Sequence, residues 1–400
     1  MTLRGIRQLT LLLALTTGCA PRLVAPVVEP AAALVPAGRL DPAMLRDDGD
    51  RGPLRAAIQQ SLAWLETQPV DRRLVFGPRT VTVSQQRRGL TRLLAMLADN
   101  PTPQALAERL LAGFDVMKSV GDPDGALLFT GYYEPMIEAA EQPSAEYPVP
   151  VFGVPDDLIE VPLEPFNPRF RGERVAGRLQ DRRLVPYWSR GEIEEGRLGA
   201  RAPVLAWARD PIDVFFMEIQ GSGTLRLPDN REMRVGYAAS NGRAYRSIGR
   251  LLIDEGKIPK ERVSLQTLRA WLAAHPEERA RVLRHNESYV FFRRLDGPPL
   301  GSLGVPVTPE RSIATDARLF PLGALAFIRT DRPARTSDGR VEWTPWHRLV
   351  LNQDTGGAIR GPGRVDVFWG RGGEAELAAG MMKQPGELYF LLPRDRPETD

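Results

Sequence analysis

Asp316 in RSIATDARLFPLG, and Asp354 and Asp366 in QDTGGAIRGPGRVDVFWG, are the residues of this sequence whose type and setting could do chemistry. Each stands at the end or start of an apolar, strand-like stretch, beside a turn. An aspartate in such a place can be no more than a turn residue that bonds local backbone. Three in similar settings favour carboxylate chemistry. A carboxylic acid set among apolar and backbone groups has its pKa raised by desolvation, and an acid still protonated near neutral pH can protonate a leaving oxygen. Cleavage of a glycosidic bond is the reaction class this suits.

Other classes fall away. His275, His285 and His347 are the only histidines, they lie far apart, and Cys19 is the only cysteine, so no soft-metal ligand pattern forms. No metal and no cofactor are expected. Ser222 and Ser240 lack the G-x-S-x-G surroundings of an activated serine, and GSGTLR at 221–226 lacks the third glycine of a dinucleotide loop. The formal charge of +3 comes from arginines scattered along the chain, since Lys118, Lys257, Lys260 and Lys383 are the only lysines. No basic stripe forms and no nucleic-acid partner is expected.

The elements that must hold the aspartates follow from patterning. Leu54–Thr67, Leu90–Leu97 and Leu106–Met117 carry apolar residues at helical spacing, and ALLFTGYYEP (126–135) reads as a strand stopped by Pro135. The segment 136–284 reads as an insert with its own strands, VFFMEIQG among them, a hairpin at GSGTLRLPDNREMRVGY, and helices around Tyr245–Glu255 and Leu265–Ala274. Strands in ESYVFFRRL, ALAFIRT, RLVLNQD and ELYFLLP then complete a second β-rich body over 285–400, together with 51–135. At the N-terminus, Arg4, Arg7, the run Leu9–Leu15 and Gly18-Cys19 read as an export signal over 1–18, too short to span a membrane. The proline-rich stretch 19–50 reads as a tether. The setting of Cys19 resembles the lipobox of bacterial lipoproteins, which implies acylation there and, with Ala20 next, the outer membrane.

FTGYYEP (129–135), MEIQGSGTLRLPDN (217–230), VGYAASNGRAYRSIGRLL (235–252), NESYVFF (286–292), RSIATDARLFPLG (311–323) and QDTGGAIRGPGRVDVFWG (353–370) resemble, in order, the signature blocks of the membrane-bound lytic murein transglycosylase A family. The last two resemble the three-aspartate module of double-psi β-barrel proteins. The resemblance implies a mainly β protein: a double-psi β-barrel with N-terminal helices, a smaller inserted β-rich domain, and a groove between them for a peptidoglycan strand. It implies Asp354 as the catalytic acid, with Thr130, Tyr132, Gln220, Ser222, Gly223, Asp316, Gly356, Gly357 and Asp366 binding substrate or supporting the site. The reaction implied is non-hydrolytic cleavage of the β-1,4 bond between N-acetylmuramic acid and N-acetylglucosamine, giving a 1,6-anhydro end, on the periplasmic face of the outer membrane and with cell-wall synthesis or remodelling proteins as possible partners.

Two alternatives stand beside this. A hydrolase on the same barrel would use water as nucleophile, and a murein-binding lipoprotein would keep the groove without the acid. Of the motif residues, Gly356 and Gly357 could admit sugar or merely a φ > 0 turn. Tyr132, Tyr133, Tyr237 and Trp369 could face sugars or fill the core, and Arg360 and Arg364 could meet the acidic groups of murein or only solvent.

Overall fold

The computed structural model describes residues 28–170, 173–357 and 359–394, so Cys19 and the export signal lie outside the described residues. Six strands close into a barrel: β1 (Leu128–Glu134), β2 (Ser312–Ala314), β3 (Leu325–Arg335), β4 (Val341–Asp354), β5 (Arg364–Arg371) and β6 (Lys383–Pro393). The ring runs β6-β3-β4-β2-β5-β1 and returns to β6. Closure leaves the ring without a free edge. Two pairings are parallel, β2 with β4 (Ser312 opposite Leu351) and β5 with β1 (Asp366 opposite Thr130). The β2–β4 ladder and the antiparallel β2–β5 ladder bring the three aspartates to one side of the barrel, because Ala314, two residues before Asp316, lies opposite both Asp354 and Asp366.

Phe129, Ile313, Phe327, Leu351, Val365, Val367 and Phe390, from both faces of the barrel strands, are buried in one core with the N-terminal helices. Those helices, Arg51–Glu66, Val83–Ala98 and Pro103–Gly113, start on sequence signals: Asp50 accepts from the Gly52 N–H, and Thr82 and Gln85 form a reciprocal capping box. The expected helix through Met117 stops at Gly113. Phe114–Ser119 is a strand instead, because β6 offers it a ladder (Met117 opposite Phe390) that outweighs the apolar spacing.

The tether expected over 19–50 is shorter than its composition suggests. Leu34–Pro36 pairs with Phe114–Ser119, Ala33, Leu34 and Leu45 are buried, and Asp47 forms a buried ion pair with Arg311. Asp47 also accepts from the Leu349 N–H at 2.9 Å. A proline-rich run can satisfy its few N–H groups on a strand edge as well as in water, so its composition does not separate the two.

The insert is built on a six-stranded sheet in the order Val149–Phe152, Val204–Ala208, Met136–Ala140, Ser222–Arg226, Glu232–Ser240, Val290–Leu295. Its last strand was expected in the barrel; Tyr237 stands opposite Phe292, so the insert extends to about residue 295 rather than 284. VFFMEIQG, expected as a strand, is the helix Pro211–Gln220. Asp210 caps it, Pro211 opens it and Gly221 closes it at φ 78°, and its apolar residues face two packed neighbours, which mimics a strand-core run. A small sheet of Ile159–Pro162, Arg174–Gln180 and Arg183–Pro186 completes the insert. Among the described residues no helix is long and apolar enough to cross a membrane.

Candidate active site

Asp354 ends β4, and the residues before it fix its position. Gln353 is buried, accepts from the Ser312 hydroxyl at 2.5 Å and donates to Ala57 O and Ser61 Oγ on the first helix. Asn352 accepts from Thr315 Oγ1 at 2.9 Å. With its two predecessors bound to the barrel, the Asp354 carboxyl is held at the end of the strand. Its Oδ1 accepts from two backbone N–H groups, Thr355 at 2.8 Å and Ser302 at 2.9 Å, and its Oδ2 accepts from the Tyr132 hydroxyl at 2.9 Å.

Burial pushes the Asp354 carboxyl up; the N–H groups of Thr355 and Ser302 and the Tyr132 hydroxyl pull it down, and the charge of Asp366 pushes it up again. The net direction is upward, because no cation among the described residues offsets the burial. Tyr132 is itself raised well above the ordinary phenol range by burial and by Asp354, so it remains a donor. Its ring lies 5.1 Å from that of Phe368.

Asp366 is held differently. It accepts from the Thr130 hydroxyl and from Arg364 Nε at 3.0 Å and Nη2 at 3.3 Å. Arg364 Nη2 also reaches Thr130 Oγ1 at 3.3 Å. Asp316 lies one loop away and is fully buried. It accepts from Arg318 N, Nε and Nη2 at 3.1, 2.9 and 2.7 Å and from the Gly361 N–H at 2.9 Å. Burial pushes Asp316 up, yet Arg318 and the Gly361 N–H outweigh it and leave the carboxyl below its ordinary value. The three aspartates are therefore one acid without a cation and two carboxylates with arginine partners.

Thr130, Tyr132, Asp354 and Asp366 thus form one cluster, and Asp316 braces the loop that follows Asp354. Gln220, at the end of the insert helix, accepts from the Tyr133 N–H at 3.0 Å, which docks the insert on β1 beside Tyr132. Ser222 is half-buried two residues on. Gly223 does not line a surface: it is buried, and a Cβ there would lie 2.6 Å from Met217 Sδ. Neither Gly356 nor Gly357 takes a positive φ; Gly361 does, at 80°. Trp369 and Tyr133 are buried, Trp369 stacking on Trp346 with ring centroids 5.0 Å apart, whereas Tyr237 is 41% exposed. Arg364 is occupied with Asp366, and Arg360 is exposed.

Ser302, Arg318 and Gly361 escaped sequence reasoning. Ser302 acts through its backbone, so its side-chain type carries no signal. The surrounding turn does: Gly301 presses on Gln353, where a Cβ would come within 2.6 Å of the carbonyl oxygen, and Gly304 has φ 72°.

The family model described as the MltA specific insert domain matches residues 128–293, and that described as the 3D domain matches residues 311–392. Membrane-bound lytic murein transglycosylase A of Vibrio cholerae is 34% identical over 282 residues, 69% of this chain and 68% of the relative. Among solved structures, the membrane-bound lytic murein transglycosylase of Agrobacterium tumefaciens superposes with a TM-score of 0.72 at 32% identity, covering 86% of this chain and 93% of that one. Escherichia coli MltA with bound chitohexaose superposes with a TM-score of 0.68 at 25% identity, covering 91% and 95%. The chain, with its closed six-stranded double-psi barrel and inserted domain, belongs to the membrane-bound lytic murein transglycosylase A family.

Proposed function

We propose that this protein is a peptidoglycan lytic transglycosylase in which Asp354 alone supplies both the acid and the base. The observation that carries the reading is the contrast within the aspartates: Asp354 is raised and bound only by neutral donors, while Asp316 and Asp366 hold arginines. A β-1,4-linked sugar oligomer bound to the Escherichia coli relative supports a glycan strand as the substrate.

The hydrogen bonds assign the proton. Oδ1 of Asp354 already accepts two N–H groups, and Oδ2 accepts one O–H, so the site left for a proton is the second lone pair of Oδ2. From there it passes to the bridging oxygen as the C1–O bond of the muramoyl residue breaks, leaving a free 4-hydroxyl on the N-acetylglucosamine. The new carboxylate, stabilised by the same three donors, then takes the proton of the muramoyl C6 hydroxyl while O6 bonds to C1. The acid is restored, and the products are an anhydro end and the departing chain. A typical glycosidase needs a second carboxyl, about 5 Å or roughly 6.5–9.5 Å away, as nucleophile or base. Here the nucleophile belongs to the substrate, consistent with arginine pairing of the other two aspartates.

Acylation of Cys19 and residence on the periplasmic face of the outer membrane complete the reading, supported by the lipobox-like sequence and by the membrane-bound relatives. The mechanism is tested by Asp354→Asn, which keeps an acceptor for Thr355 and Ser302 but cannot cycle a proton. Loss of general acid–base help typically lowers rate by about 10²–10⁴. Turnover should therefore fall by at least that much while glycan binding persists; wild-type turnover in this variant would remove Asp354 from the chemistry.

A further inference from the structure

We infer that Tyr133 is a positioning residue: through it the inserted domain holds Tyr132 in place on Asp354, and this rests on the reading of Asp354 as the acid. Side chains alternate along a strand, so Tyr132 and Tyr133 leave β1 on opposite faces. On one face Tyr132 reaches Asp354. On the other, Tyr133 is 3% exposed and shares a core with Ala375, Ala378 and Ala379 of the barrel helix Gly373–Met381. That helix presses on β1, since a Cβ at Gly131 would lie 2.8 Å from Ala379 Cα.

The insert grips this end of β1 at consecutive positions. Gln220 accepts the Tyr133 N–H at 3.0 Å, the Thr224 hydroxyl donates to the Glu134 carboxylate at 2.6 Å, and the Thr224 N–H donates to Pro135 O at 2.8 Å. The Tyr133 side chain carries the grip to the far face of the strand. Arg269, on the insert helix Leu265–Ala274, pairs with Asp213 within the insert, and its Nε lies 3.8 Å from Glu376 Oε1 on the barrel helix. Gln266 of the same insert helix donates to Glu376 O at 3.2 Å. Both charges act on the Tyr133 hydroxyl: burial and Glu376 push it up to about 12, while Arg269 pulls it down. The phenol therefore keeps its proton near neutral pH and can donate.

Tyr133 is thus tied to the insert at its backbone by Gln220 and at its hydroxyl end by Arg269, and Tyr132 is the next residue of the strand. The competing reading is that Tyr133 only fills the core, in which case its hydroxyl is indifferent to Asp354. The two are separable. The charged and titratable groups that act on Asp354 are Tyr132 and Asp366, and Asp366 is paired with Arg364 on β5. Changing Tyr133 or Arg269 leaves that pair in place. Residues coupled through one network give non-additive effects, so a shift that disappears once the Tyr132 hydroxyl is gone is one that passes through Tyr132.

The test is the pH profile of kcat/KM for the full-length protein on solubilised peptidoglycan strands, well below each melting midpoint, in wild type, Tyr133→Phe, Arg269→Gln, Tyr132→Phe and the two double variants with Tyr132→Phe. Tyr133→Phe keeps the ring that packs in the core, and Arg269→Gln breaks the same tie from the insert side should the first variant fold poorly. Each is expected to move the alkaline limb upward, in the direction of Tyr132→Phe and by no more than it does, and to add no further shift when combined with it. An unmoved limb in both single variants, with Tyr132→Phe moving it, makes Tyr133 a packing residue and overturns this inference alone. Additive shifts in the double variants overturn it too, because the effect then bypasses Tyr132. If Tyr132→Phe itself leaves the limb unmoved, the inference falls while the nature of the product ends still decides the reaction independently.

Discussion

Replacing Asp316 by alanine separates a brace from a catalyst. The carboxylate accepts three hydrogen bonds from Arg318 and one from the Gly361 N–H, so the substitution strands two kinds of donor. The Arg318 side chain is 48% exposed and returns to water, so its charge contributes only about 0–1 kcal/mol. The Gly361 and Arg318 N–H groups lose their acceptor inside a turn, each at a cost of about 1–3 kcal/mol where water cannot replace it. The backbone donors outweigh the ion pair, and the expected loss is about 2–7 kcal/mol. For a domain of this size that lowers Tm by roughly 4–28 °C. The pH dependence has a definite sign. The folded carboxyl lies below its ordinary value of 3.8, so its stabilisation is present above that pH and is lost as pH falls through the folded value. In a thermal-melt series, the deficit of Asp316→Ala relative to wild type should therefore shrink on acidification below about pH 3.8, and activity well below the new midpoint should persist. Unchanged stability with abolished turnover would place Asp316 on the substrate, and a deficit that grows on acidification would refute an ionised brace.

Three further outcomes follow from the same geometry. Tyr132→Phe removes a donor that holds the Asp354 carboxyl down, so the alkaline limb of kcat/KM should move to higher pH with turnover retained; an unmoved limb would show that the hydroxyl does not act on Asp354. In Asp354→Asn the melting midpoint at neutral pH should equal or exceed that of wild type, because a carboxyl raised by folding costs stability as pH rises through its folded value; the advantage should vanish at acid pH in the same melts. Asp47→Ala leaves Arg311, fully buried, without its carboxylate, and should destabilise by about 3–5 kcal/mol in urea unfolding.

The site was legible to the extent that its residues carry side-chain chemistry. Asp354, Asp366, Thr130 and Tyr132 stand in motifs, and the ladders of β2 with β4, β2 with β5 and β5 with β1 gather them. The barrel itself follows from resemblance, since the C-terminal halves of β4 and β6, residues 348–353 and 388–393, are continuous buried runs whose periodicity does not reveal which strands they pair with. Asp210, Pro211 and Gly221 mark a helix at VFFMEIQG, but the apolar run between them has the composition of a core strand. Residues 33–50 read as tether because the ladder of Leu34 and the ion pair of Asp47 are made with Ser119 and Arg311, more than eighty residues away. Ser302 and Gly361 act through N–H groups, which every sequence position other than proline possesses.

In the proposed reaction the nucleophile is the substrate's own C6 hydroxyl, with Asp354 moving the proton. Mass spectrometry of the muropeptides released from purified peptidoglycan by the wild-type protein in the presence of chelator tests it most directly. Ends of 1,6-anhydro-N-acetylmuramic acid are expected, absent with Asp354→Asn; reducing N-acetylmuramic acid ends would show that water attacks instead.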